Sequence, residues 1–155
     1  MKKIYLAGSC SKDKRSRMES IAANLREKGY EVYCPFELKI PNAWDYSQED
    51  WAKMVFDKDV AAIDECDFVV MISDGRVSSA GTNWEQGYAY AKNKPIFVFQ
   101  YTNDTTSLMT YSGCTRFINI PEDIEEGLDV PTCIAEYPYE TWIRTRNRGL
   151  NLCST

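Results

Sequence analysis

Short runs of consecutive apolar residues alternate along this chain with longer stretches in which apolar residues recur every three or four positions. Lys3-Ile4-Tyr5-Leu6-Ala7 reads as a buried strand that stops at Gly8-Ser9. Met18, Ile21, Ala22 and Leu25 then fall at i, i+3, i+4 and i+7, one face of a helix expected to end at Lys28-Gly29 with a glycine stop. Glu31 to Cys34 is a short second strand closed by Pro35. Residues 38–48 follow no period, and a helix is expected from Ser47 or Gln48 to about Glu65. At about 100° per residue, Trp51, Val55 and Ala62 share one side of it, with Lys53, Asp57 and Asp64 on the other. Asp67 is read as a turn residue before the strand Phe68 to Ile72. Next come a polar loop, the stretch from Ser78 to Ala91, and the strand Pro95 to Phe99. A second polar loop and the segment Ser107 to Gly113 lead to a last strand, Arg116 to Ile120, stopped by Pro121.

Strand, helix, strand, helix, strand, helix, strand, strand is the order of an α/β fold. The expected architecture is a doubly wound, mainly parallel sheet, Rossmann or flavodoxin-like, with helices on both faces. At 155 residues the chain is expected to be one domain, residues 1–155, with its core in residues 3–120. The acidic stretch Glu122 to Glu126 reads as a short helix. Beyond Val130 the pattern weakens, and Tyr137, Tyr139, Trp142 and Ile143 are expected to pack as a C-terminal arm on this or another subunit.

The formal charge of −5 argues against a nucleic-acid polymer as partner, because such binding needs a surplus of Lys and Arg across a surface. A small anionic ligand in a local basic pocket stays open. The six cysteines form no C-x-x-C pair, so no zinc knuckle or thioredoxin motif is expected, and no metal or cofactor. With no signal peptide and no long apolar run, the expected setting is a reducing cytoplasm, away from membranes. The chain has no histidine. Ser-His and Cys-His catalysis are thereby excluded, leaving carboxylates, tyrosines and backbone dipoles for any chemistry.

Three places gather candidates. After the first strand, Gly8-Ser9 and the cations Lys12, Lys14, Arg15 and Arg17 read either as a phosphate cradle or as a plain loop leading into a solvated helix. In the run Ser78 to Ala91, small residues turn from a strand into a helix, where free N–H groups face a ligand above the strand ends. Glu85 lies about one turn into that helix, so the dipole is expected to keep it ionised at neutral pH, or it serves only to favour the helix. Asp59 falls among Val55, Phe56 and Ile63 on its helix, so it either has a partner or ligand or reaches water at the helix edge. The aromatic residues Trp44 and Tyr46 of the irregular loop either plug the end of the core or stack on a planar base.

These residues resemble the nucleoside 2-deoxyribosyltransferase family, including its branch of 2'-deoxynucleoside 5'-monophosphate N-hydrolases. The resemblance rests on Ile4-Tyr5-Leu6-Ala7-Gly8-Ser9, on Asp59 before Asp67-Phe68-Val69-Val70, on Gly81 to Ala89 around Glu85 followed by Lys94-Pro95, and on Ser107-Leu108-Met109. It implies that Glu85 is the nucleophile at the anomeric carbon, Tyr5 the hydroxyl that orients it, and Asp59 the second carboxylate near the sugar and departing base. Positive charge develops on the sugar as the N-glycosidic bond breaks, which suits one ionised carboxylate and a second acid-base group. By the same resemblance, Gly8, Ser9, Ser79, Gly81, Ser107 and Met109 surround the substrate. Ser107 and Met109 are implied to complete the pocket of a neighbour in a homodimer or higher homo-oligomer. The residue six before the nucleophile is usually a carboxylate in the transferases and a serine in the hydrolases, and here it is Ser79. Three serines favour a phosphorylated substrate, since hydroxyls donate to phosphate and acids repel it. Hydrolysis of deoxynucleoside monophosphates is thus the first expectation. Base exchange on free nucleosides is the alternative, and a non-catalytic nucleotide-binding module a second. The hydrolase branch carries an Arg and further glycines after its first Gly-Ser, whereas this chain has Cys10-Ser11-Lys12-Asp13.

Overall fold

Side chains alternate sides along a strand, and each strand here presents apolar residues on both sides, so the sheet must be covered on both faces. The computed structural model describes residues 1–102, 104–119 and 130–135. Its strands are β1 (Lys3–Ala7), β2 (Glu31–Tyr33), β3 (Phe68–Ser73), β4 (Ile96–Gln100) and β5 (Arg116–Asn119). They form one sheet in the order β2-β1-β3-β4-β5, every neighbouring pair parallel. The sheet is thus wholly parallel, with the strand order of a doubly wound fold whose switch point lies between β1 and β3.

The helices are α1 (Arg15–Glu27), α2 (Gln48–Glu65), α3 (Ala80–Ala91), α4 (Leu108–Ser112) and α5 (Val130–Ala135). On one face Ile4, Leu6, Val70, Ile72 and Phe99 pack against Met18, Ile21 and Leu25 of α1 and Val130 and Ile134 of α5. On the other, Tyr5, Ala7, Val69, Met71 and Val98 meet Ile63 of α2 and Ala89 of α3. The expected helical face Met18, Ile21, Ala22, Leu25 is the buried one, and Gly29 takes the left-handed conformation (φ 89°) that ends α1. Ser47 caps α2, its hydroxyl accepting from the Asp50 N–H.

One element departs from the expected order. Between β4 and β5, where two strands were expected in succession, the chain forms α4. Parallel neighbours cannot be joined by a hairpin, and this short helix belongs to the crossover. Its five residues leave Leu108 and Met109 exposed, so no apolar period marks it in the sequence. The irregular loop after β2 contains two short 3-10 turns, Pro35–Glu37 and Ala43–Asp45, and leaves Trp44 exposed. The strand residue Ile120, the acidic stretch 122–126 and the arm residues Tyr137, Tyr139, Trp142 and Ile143 lie outside the described residues. No helix among the described residues is long and apolar enough to cross a membrane.

Candidate active site

Tyr5, fully buried on β1, turns its ring toward α2 and α3, and its hydroxyl donates a 2.9 Å hydrogen bond to Glu85 Oε1. Glu85 lies on the second turn of α3, which starts above the C-terminal end of β3. Parallel pairing sets Tyr5 beside Tyr33 of β2, and their rings stack with centroids 5.5 Å apart and planes 18° from parallel. The Tyr33 hydroxyl in turn donates 2.8 Å to Asp59 Oδ1 of α2. Two carboxylates from two helices are thus each held by a phenol from the sheet. Both border a cavity of about 530 Å³ between α2 and α3, walled by Trp51, Val55, Phe56 and Trp84.

Burial governs the acid-base character of this group. It pushes Glu85 up to about 7; the Tyr5 hydrogen bond acts downward and the nearby Asp59 charge upward. At about 7 the carboxyl is shared between its charged and neutral forms at neutral pH, where its place near the helix start alone was expected to keep it ionised. Burial also raises Asp59, against the Tyr33 hydrogen bond, and raises the Tyr5 phenol, which the Glu85 charge raises further. The tyrosines therefore serve as hydrogen-bond donors, not as phenolates. The Cys10 thiol, in the loop after β1, is raised by burial and by the charges of Glu85 and Asp59.

The remaining candidates fall in two groups. Gly8 and Ser9 follow β1, and Ser79 and Gly81 open α3, so both pairs stand at C-terminal strand ends beside the switch point. Ser9 donates to Ser11 Oγ, which donates to Asp13. Ser79 caps α3, accepting from the Thr82 N–H and sharing a hydrogen bond with the Thr82 hydroxyl. A Cβ on Gly8 would fall 2.5 Å from Met18 Cε, whereas one on Gly81 would meet nothing within 4 Å, which leaves the start of α3 open. Ser107 and Met109 are not brought to Glu85 within one chain. They line a separate groove of about 440 Å³ with Asn83, Gln86 and Tyr90; Ser107 caps α4, and Met109 is 73% exposed.

Of the four cations after Gly8, Lys14 and Arg17 are bound to the buried Asp74 at the end of β3, at 3.5 and 2.9 Å. Arg15 lies over the Phe36 ring and is close enough to act on Cys10. Tyr33 was missed in the sequence because its role depends on β2 lying beside β1 in the register that pairs residues 5 and 33. Alternation along β2 could have shown its side, but not its neighbour. Among the described residues, no group of three or more His, Cys, Asp or Glu side chains is arranged to hold a metal.

Residues 4–150 match the profile of the family described as nucleoside 2-deoxyribosyltransferase. A search of curated proteins gave no match. Among solved structures, the chain is similar to a 2-deoxyribosyltransferase from the psychrotolerant bacterium Bacillus psychrosaccharolyticus, with a TM-score of 0.75 and 25% identity over 94% of this chain and 98% of that one. It shares its fold with the CMP N-glycosidase BcmB of Clostridium botulinum (TM-score 0.57, 22% identity, 88% and 100% covered). A conserved protein from Enterococcus faecalis V583 shares it as well (TM-score 0.54, 22% identity, 95% and 82% covered). With the match running through nearly the whole described sheet and its site, the chain belongs to the nucleoside 2-deoxyribosyltransferase family of enzymes.

Proposed function

We propose that the protein hydrolyses the N-glycosidic bond of 2'-deoxynucleoside 5'-monophosphates, releasing free base and 2-deoxyribose 5-phosphate. The observation that carries this reading is the paired arrangement of Tyr5 with Glu85 and Tyr33 with Asp59 at one cavity. Glu85 Oε2, which takes no hydrogen bond among the described residues, forms a bond to the anomeric carbon while the C1'–N bond breaks and its electron pair leaves with the base. Asp59 gives the departing base its proton. Water then attacks the anomeric carbon, Asp59 takes a proton from it, and the Glu85 carboxylate leaves. The first step begins with Glu85 charged and Asp59 neutral, and the second with Glu85 bonded to the sugar and Asp59 charged.

Ser79 supports the phosphate, since the first turn of α3 carries no acid to repel it and the open helix N-terminus favours an anion. Ser9, Gly8 and Gly81 are the further ligands in this reading, and Lys12 and Arg15 are the cations of that loop not engaged by Asp74. Ser107 and Met109 reach the pocket of a second copy, which their place in a separate groove accommodates. The second reading, base exchange on free deoxynucleosides through the same Glu85, is favoured by the likeness to the Bacillus enzyme.

Chromatography of the purified protein with each deoxynucleoside and its 5'-monophosphate, with and without an acceptor base, separates the two. Base release from monophosphates without acceptor is expected. Exchange on unphosphorylated nucleosides that is silent until acceptor is added would establish the transferase instead. In either case Glu85→Gln should lower the rate roughly 10³-fold or more, and full activity in that variant would refute the site.

A further inference from the structure

Asp59 takes one hydrogen bond among the described residues, to Oδ1, from the hydroxyl of Tyr33. Oδ2 has none, and the carboxylate borders the cavity that also holds Glu85. A carboxylate with both oxygens free would rotate about its last torsion and present either to a substrate. Tyr33 itself cannot swing, because its ring is stacked on the buried ring of Tyr5 and its backbone pairs with β1 at that residue.

We propose that Tyr33 is the positioning residue for Asp59, tying one carboxylate oxygen to the sheet and leaving the other as the oxygen that exchanges a proton with the departing base. This rests on the reading of Asp59 as the acid-base partner in glycosidic cleavage. The sheet then bears a matched pair of phenols on adjacent strands, each fixing one acid. Tyr5 fixes the nucleophile and Tyr33 the proton carrier, and the stack between them sets the spacing of the two.

Among the described residues, Tyr33 donates to Asp59 from β2 and Glu85 of α3 borders the same cavity, while the charge of Asp59 also acts on Tyr5 of β1 and on Cys10 of the loop after β1, where Arg15 acts in the opposite sense. Burial is the larger influence on the Asp59 carboxyl and raises it, while the Tyr33 hydroxyl holds it down. Removing that hydroxyl must therefore shift Asp59 further toward its neutral form.

The test compares Tyr33→Phe, which keeps the ring and its stack, with Tyr33→Leu, which loses both. Carboxyl-carbon NMR titration of Asp59 in the free protein should move to higher pH in Tyr33→Phe, with thermal stability close to the parent. With deoxynucleoside monophosphates, kcat should fall roughly tenfold while KM changes little, the size of one lost hydrogen bond to a charged group. An Asp59 titration that does not move in Tyr33→Phe overturns the proposal. So does an activity loss that appears only in Tyr33→Leu and follows its melting temperature. If the parent protein releases no base from any nucleoside or nucleotide, the functional reading fails and the catalytic part of this proposal with it. The titration would still decide whether Tyr33 governs Asp59.

Discussion

Glu85 shows two opposed effects on one carboxyl. Its place near the start of a helix favours the charged form, as does the Tyr5 hydroxyl; its burial and the neighbouring Asp59 favour the neutral form and prevail, bringing it to about 7. A nucleophile must be ionised, so kcat/KM should rise with pH through a limb near 7, the profile of the free enzyme. Tyr5→Phe removes the one influence that lowers Glu85 by hydrogen bonding. The limb should then move to higher pH, and activity at pH 7 should fall more than activity at pH 9. A pH–rate series on both proteins checks this, and an unmoved limb would mean that another group titrates there.

Ser79 acts at the scale of the element, as the cap of α3. Aspartate caps a helix as well as serine does, so Ser79→Asp should change the melting temperature little while placing a negative charge at the mouth of the site. KM for a nucleoside monophosphate should rise roughly tenfold or more, and KM for the unphosphorylated nucleoside much less. Equal effects on both substrates would remove Ser79 from phosphate binding. The elements themselves differ in how far the sequence revealed them. α1 and α2 were readable because a full apolar face or a Ser47 cap accompanies each. The strands were readable as apolar runs, whereas Tyr5, Asp59 and Glu85 were singled out through family resemblance, and the structure places Tyr5 on Glu85 and both acids at one cavity. α4 was not, having too few turns to show a period, nor was Tyr33, whose meaning lies in the register between strands. The rise of Glu85 to about 7 was not legible, because the cavity it borders is walled by Trp51, Val55 and Phe56 of α2 as well as by its own neighbour Trp84.

For the molecule as a whole, the proton on Glu85 couples the site to folding. The carboxyl holds its proton up to about 7 when folded, against 4.5 when exposed. The folded state thus binds the extra proton between these values, and stability falls as pH rises through that window. Glu85→Gln, still able to accept from Tyr5, should match the parent near pH 4 and exceed it by on the order of 2–3 kcal/mol at pH 8, measured by urea unfolding at each pH. A variant less stable than the parent at pH 8 would contradict the burial argument. The position of β1 has a further consequence. Though nearly the first residues of the chain, it lies inside the sheet, flanked by strands that begin at Glu31 and Phe68. Its apolar residues must wait for distant partners, and such non-local pairing slows folding. Tyr5 meets Glu85 only once those pairings have closed, so the dyad is a product of global cooperativity and does not survive partial unfolding. Urea should accordingly abolish catalysis and circular dichroism along one curve, and two separate midpoints would show that the site opens on its own.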